Sequence, residues 1–165
     1  MDNRYKIVFL DIDGVLNCSE TKETVDGYIG IDHNLVKNLK ELIDETSAII
    51  VLTSTWKKRW FKNPQLKRFQ DNFANALESA LSQYGLQVFD KTKEEIYGRG
   101  SVIIDYLDDF ISKGNGVEGI VILDDMPFDY EELKMTEFLV ETGFEEGGFT
   151  IEALEEAKEV LRHRF

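Results

Sequence analysis

The sequence predicts an α/β fold, a Rossmann-like parallel sheet with helices on both faces, and three observations predict it. Short apolar runs alternate with helix-period patterns along the chain, the arrangement of a parallel sheet buried on both sides. At 165 residues the chain fits one domain, 1–165, and is long enough to bury a sheet between two helical layers. Carboxylates and hydroxyls stand directly after the apolar runs, beyond the carboxyl ends of the strands, where such sheets bind ligands.

The elements follow in order. Apolar runs predict strands at 5–10, 48–52, 86–89, 119–123 and 137–140. Between the first two, Leu35, Leu39, Leu42 and Ile43 form the stripe of a helix over 34–45, with Asp32 as its N-cap. Asn63-Pro64 pairs a capping residue with one suited to the first helical position, which predicts a second helix from 63 toward 84. Two further helices are expected at 101–111 and 150–161. There is no internal repeat, low-complexity segment or long linker, and only two prolines punctuate the chain.

Composition removes several classes of protein. No apolar run approaches the roughly 20 residues of a membrane helix, and the N-terminus runs straight into a core strand without the zones of a cleaved signal. A cytoplasmic location is the expectation. Cys18 is the single cysteine, so neither a disulfide nor a cysteine-held zinc can staple the chain. The net charge of −13 opposes non-specific adhesion to nucleic acid or anionic membrane, since like charges repel over about 8 Å at physiological salt. The charge is uneven, however. Residues 53–70 carry Lys57, Lys58, Arg59, Lys62, Lys67 and Arg68 and no acid.

Chemistry is concentrated at the strand ends. The first run ends in Asp11-Ile12-Asp13-Gly14, two carboxylates that are costly to bring together after a buried strand unless a cation or proton neutralises them. Mg2+ prefers oxygen ligands and tolerates carboxylates and phosphate together. Asp11 can then serve as metal ligand and in-line nucleophile, while Asp13 protonates a leaving oxygen and later activates water. The alternative is an acidic turn closing a hairpin. The fourth run ends in a second pair, Asp124-Asp125, which the same sheet would set beside the first. The second run ends in Thr53-Ser54-Thr55, whose hydroxyls and turn N–H groups suit phosphate oxygens but could equally cap a helix. Arg99 opens the third helix and can neutralise charge on a transferred phosphoryl group, a role that Lys91 or Lys93 could also fill.

These residues resemble the haloacid dehalogenase (HAD) superfamily, whose phosphatases run strand-DxDG, strand-Thr/Ser, Lys/Arg, strand-DD. The tail, Phe138 to Thr142 followed by Gly148-Phe149-Thr150, is similar to the small HAD domain of Swiss Army Knife RNA repair proteins. The resemblance implies Mg2+, Asp11 as nucleophile and Asp13 as acid/base. It also implies Thr53 or Ser54 on the phosphate, Arg99 as cationic clamp, and a metal held by Asp11, Asp13, Asp124 and Asp125. Val15 departs from the pattern, standing where many members carry Thr.

Members of that superfamily gain selectivity from inserted caps. Here 17–31 has room only for a flap and 56–97 is taken up by helices and a strand, so the cap is minimal or absent and the site open. An open site suits a phosphate on a nucleotide or a nucleic-acid end, with a phosphoprotein phosphatase or a non-catalytic phosphate-binding module as alternatives. The segment Trp56-Lys57-Lys58-Arg59-Trp60-Phe61-Lys62 directly follows the proposed phosphate hydroxyls, and interleaved cations and rings can neutralise phosphates and stack bases. Lys57 is therefore counted with the phosphate-binding residues. No partner protein and no membrane are indicated.

Overall fold

The computed structural model describes residues 3–163 and 165. Its strands are β1 (Arg4–Leu10), β2 (Thr24–Val25), β3 (Tyr28–Ile29), β4 (Ile49–Leu52), β5 (Asp90–Lys91), β6 (Gly116–Asp124) and β7 (Leu139–Glu141). Its α-helices are α1 (His33–Thr46), α2 (Asn72–Ser82), α3 (Arg99–Ser112) and α4 (Ile151–Arg162). Five strands form one parallel sheet in the order β5-β4-β1-β6-β7, as the α/β reading requires.

Alternation along the strands builds two cores. Val8 and Leu10 of β1 point with Ile50, Leu52, Val121 and Leu123 into a layer covered by α1, α2 and α4. Ile7 and Phe9 point the other way, with Val51, Ile120 and Ile122, onto Ile103, Leu107 and Phe110 of α3. Strands buried on both faces must be apolar throughout, and the last four residues of β1 are all buried.

β2 and β3 form a separate antiparallel hairpin, the flap expected within 17–31. Asp26 and Gly27 turn it with φ of 52° and 82°, the positive pair that a two-residue hairpin turn requires. The Asn72 side-chain amide reaches both carboxylate oxygens of Asp26, at 3.0 and 3.1 Å, tying the flap's tip to the start of α2.

Three expectations need correction. The continuous helix from 63 toward 84 is instead a 3-10 turn, Pro64–Phe69, and the separate α2. Gln70 takes an extended ψ of 144°, and Asp71 caps α2 through the Ala74 N–H at 2.9 Å, so a second local cap outcompetes helix propagation. The third strand lies at β5, not 86–89: Leu86 N–H folds back onto Leu81 O, and pairing with β4 begins only as Phe89 N–H meets Ile50 O. Leu86 is apolar because it packs on the helical layer, not because it sits in the ladder. The last strand is likewise displaced to Leu139–Glu141, since Thr136–Phe138 close a 3-10 turn first. No helix among the described residues is long and apolar enough to cross a membrane.

Candidate active site

Sheet register assembles the site. Leu10 pairs with Leu52 on one side and Leu123 on the other. The next residue of each strand, Asp11, Thr53 and Asp124, therefore lies at adjacent ladder positions. Two backbone bonds continue the ladder there, Asp11 N–H to Leu123 O at 2.9 Å and Thr53 N–H to Leu10 O at 3.0 Å.

Asp11, Asp124 and Asp125 each offer a carboxylate oxygen within 4.8 Å of the others, and the first two are buried. Burial, then the neighbouring Asp124, pushes the Asp11 carboxyl up to about 8 against the pull of Arg99. Burial likewise raises Asp124, although Arg99, Tyr130 and the Met126 N–H oppose it. Three acids at this spacing need a cation or a proton, and oxygen-only donors suit Mg2+. The residues fit such an ion. Gly14 permits the crowding: its φ is 78°, and a Cβ there would come within 2.5 Å of Asp125 Oδ2.

The Arg99 guanidinium bridges the pair, with Nη1 3.0 Å from Asp11 Oδ1 and 2.9 Å from Asp124 Oδ2. Burial works against its charge, but Asp11 and Asp124 hold it firmly protonated. Arg99 is delivered by the first turn of α3, which begins two residues earlier than 101 because Asp129 accepts the Gly100 and Ser101 N–H groups at 2.7 and 3.1 Å. Tyr130 donates its hydroxyl to Asp124 Oδ2 at 2.9 Å. Asp124 thus takes two protein donors on Oδ2 and one, the Met126 N–H, on Oδ1, while Asp125 shares a side-chain hydrogen bond with Asp11.

Asp13 does not join the acidic trio. Its side chain is exposed and held by two donors, Asn17 Nδ2 to Oδ1 at 2.9 Å and Trp56 Nε1 to Oδ2 at 3.2 Å. Any hold of Asp13 on the ion falls to its backbone. Asn17 is fully buried and also accepts from Gly14 N–H and donates to Gly30 O, fixing the turn to the flap. Thr142 completes that fixation by donating to Gly14 O.

The hydroxyls after β4 divide. Ser54 Oγ caps the 3-10 turn Thr55–Arg59 by accepting from Trp56 N–H. Thr53 Oγ1 is fully buried and has no hydrogen-bond partner among the described residues. The cations divide too. Lys57 is buried with its ammonium on Thr53 O, Thr92 Oγ1, Lys93 O and Glu95 Oε1, and burial lowers its pKa. It braces the loop, and its partner Glu95 also lies 3.5 Å from Arg99 Nε. Lys91 bonds the carbonyls of Lys57 and Trp60, and Lys93 is exposed. Arg99 is the cation that meets Asp11.

Of the two tryptophans, Trp60 is 2% exposed, with its N–H on Glu78, so it cannot stack on a base. The sequence marks Trp56 as a ring beside the phosphate hydroxyls but not its bond to Asp13, and it does not single out Asn17 or Tyr130. Asn17, three after the glycine of the first motif, and Tyr130, five after Asp125, carry their signal only in that proximity.

A parallel sheet of this order, with acids closing β1 and β6 and a hydroxyl closing β4, defines a HAD-like domain of the hydrolase class. Residues 7–153 match the family described as the HAD domain in Swiss Army Knife RNA repair proteins, and the chain belongs to that family. No curated protein and no solved structure matches the chain.

Proposed function

We propose that the protein is a Mg2+-dependent phosphatase that hydrolyses phosphate monoesters on nucleotides or nucleic-acid ends through an aspartyl-phosphate on Asp11. The observation that carries this reading is the fully buried, unpartnered Thr53 hydroxyl at the ladder position beside Asp11. An orphaned buried hydroxyl costs stability unless a ligand oxygen completes it. A non-bridging phosphate oxygen would do so.

Asp11, Asp125 and the backbone at Asp13 would hold the ion, with Asp124 fixing Arg99 beside it. Bound Mg2+ would screen the phosphate charge from the carboxylates. A carboxylate oxygen of Asp11 attacks phosphorus, the ester P–O bond breaks, and Asp13 gives its proton to the departing oxygen. Asp13 then takes a proton from water as the water oxygen attacks phosphorus. The bond to Asp11 breaks, releasing inorganic phosphate and restoring both carboxyl groups. Arg99 steadies the Asp11 oxygen throughout.

The test is turnover of 3′- and 5′-phosphorylated oligonucleotides, mononucleotides, phosphopeptides and sugar phosphates, with Mg2+ and with EDTA. Mg2+-dependent release of phosphate, abolished in Asp11→Asn, is expected. Release that survives chelation or that substitution would remove the mechanism, and preference for phosphopeptides would remove the substrate assignment.

A further inference from the structure

The flap and the turn after β4 enclose a groove of about 530 Å3 that opens on Asp13. Its apolar walls are Tyr28, Ile29, Trp56, Phe73 and Phe144. That volume is within the range of small-molecule sites, and such walls with few polar groups are their usual lining.

The rings are not equivalent. Trp56 is 7% exposed, T-shaped to Phe73 with ring centroids 5.1 Å apart and its N–H on Asp13. Tyr28 is 69% exposed, although the flap that carries it is tied down through Asp26 and Asn72. A large ring held in water by an anchored hairpin, beside an apolar groove, presents a face for a flat ligand. Polar groups stand at the edge of that groove: the exposed Thr55, and Asp71, one of whose oxygens caps α2. Lys58 and Arg59 line it as well, and Lys58 makes no ion pair among the described residues.

We infer that this groove is the leaving-group subsite and that it takes the base of a nucleoside, stacked on Tyr28, with Lys58 and Arg59 meeting the next phosphate of a strand. The inference rests on the phosphatase reading, in which the ester oxygen departs on the Asp13 side. A sugar without a base would leave the aromatic walls uncovered. A phenyl ring would leave Thr55 and Asp71 unmatched, and a lone nucleotide would leave Lys58 without an anion.

Matched esters test it. Adenosine 3′- and 5′-monophosphate are compared with ribose 5-phosphate, which lacks the base, and with O-phosphotyrosine, which replaces it. The better nucleotide should exceed ribose 5-phosphate in kcat/KM by roughly fivefold or more, the advantage expected of one stacked base. Tyr28→Ala should erase that ratio and Tyr28→Phe should keep it. Equal rates for nucleotide and ribose phosphate, preference for phosphotyrosine, or a ratio untouched by Tyr28→Ala would overturn the assignment. If no ester is turned over, the phosphatase reading falls and the groove is judged by binding alone. Adenosine monophosphate should then change tryptophan fluorescence in Asp11→Asn protein, ribose 5-phosphate should not, and Tyr28→Ala should abolish the response. No response, or the same response to both, would overturn the subsite.

Discussion

The indole N–H of Trp56 donates to Oδ2 of Asp13 across 3.2 Å, so a residue of the turn after β4 orients the carboxyl group that follows β1. Trp56→Phe keeps an aromatic ring, though a smaller one, and removes this bond. A fall in kcat of about fivefold is expected, equivalent to about 1 kcal/mol. Alkyl phosphates should suffer more than nitrophenyl phosphate, because only poor leaving groups need a proton from Asp13. Equal losses across a leaving-group series would assign the effect to packing.

The metal-free protein should lose stability as pH rises. An acid whose folded pKa is raised stabilises the fold fully below its unfolded value, near 4, and loses that contribution as pH climbs through its folded value. For Asp11 the upper limit is about 8, the result of burial and then of Asp124. The melting temperature in EDTA should therefore fall by roughly 5 °C or more between pH 5 and pH 8. Mg2+ should raise it more at pH 8 than at pH 5, since the ion then displaces fewer protons. Melting curves flat across that range would remove the unneutralised acidic pair.

Arg99→Met should both inactivate and destabilise the protein. It leaves two buried carboxylates facing each other without the guanidinium now 3.0 and 2.9 Å from them. Breaking a buried pair in this way costs roughly 3–5 kcal/mol. Arg99→Lys should restore stability in part but keep turnover more than about tenfold low. A single ammonium cannot span both acids and also cover the Phe128 ring, which the guanidinium carbon approaches at 4.6 Å. Chemical denaturation and steady-state rates together check this.

Thr53→Val should separate binding from folding. The hydroxyl has no partner among the described residues, so replacing it with a methyl group should leave the melting temperature unchanged or higher. The same change should lower kcat/KM by about tenfold through loss of a phosphate contact. A variant that is destabilised, with kinetics intact, would give Thr53 a purely structural role.

Legibility followed the kind of contact involved. Asp11 and Asp124 could be read because each closes a run that sheet burial forces to be apolar, and the parallel register then sets them side by side. The flap could be read as a short gap. The break at Gln70 could not, because Asp71 offers α2 a cap only once the preceding turn has closed. Lys57 carries a charge that suits phosphate, but its ammonium goes to acceptors 35 and more positions away, Thr92, Lys93 and Glu95. Asn17, Tyr130 and the Trp56 bond escaped for a related reason. They are polar contacts across the fold, and neither hydrophobic period nor motif spacing records them.

The position of β1 between β4 and β6 orders the events of biosynthesis. As the chain leaves the ribosome, β1 and β4 can pair from the first 52 residues, but the second edge of β1 stays open until β6, at 116–124, has emerged. That edge is apolar along residues 7–10, the kind of strand that pairs with other chains while uncovered. Asp124 and Asp125 arrive with the strand that covers it. A nascent chain therefore lacks the acidic trio while that edge is open, and an ion bound there would report only that the sheet has already closed.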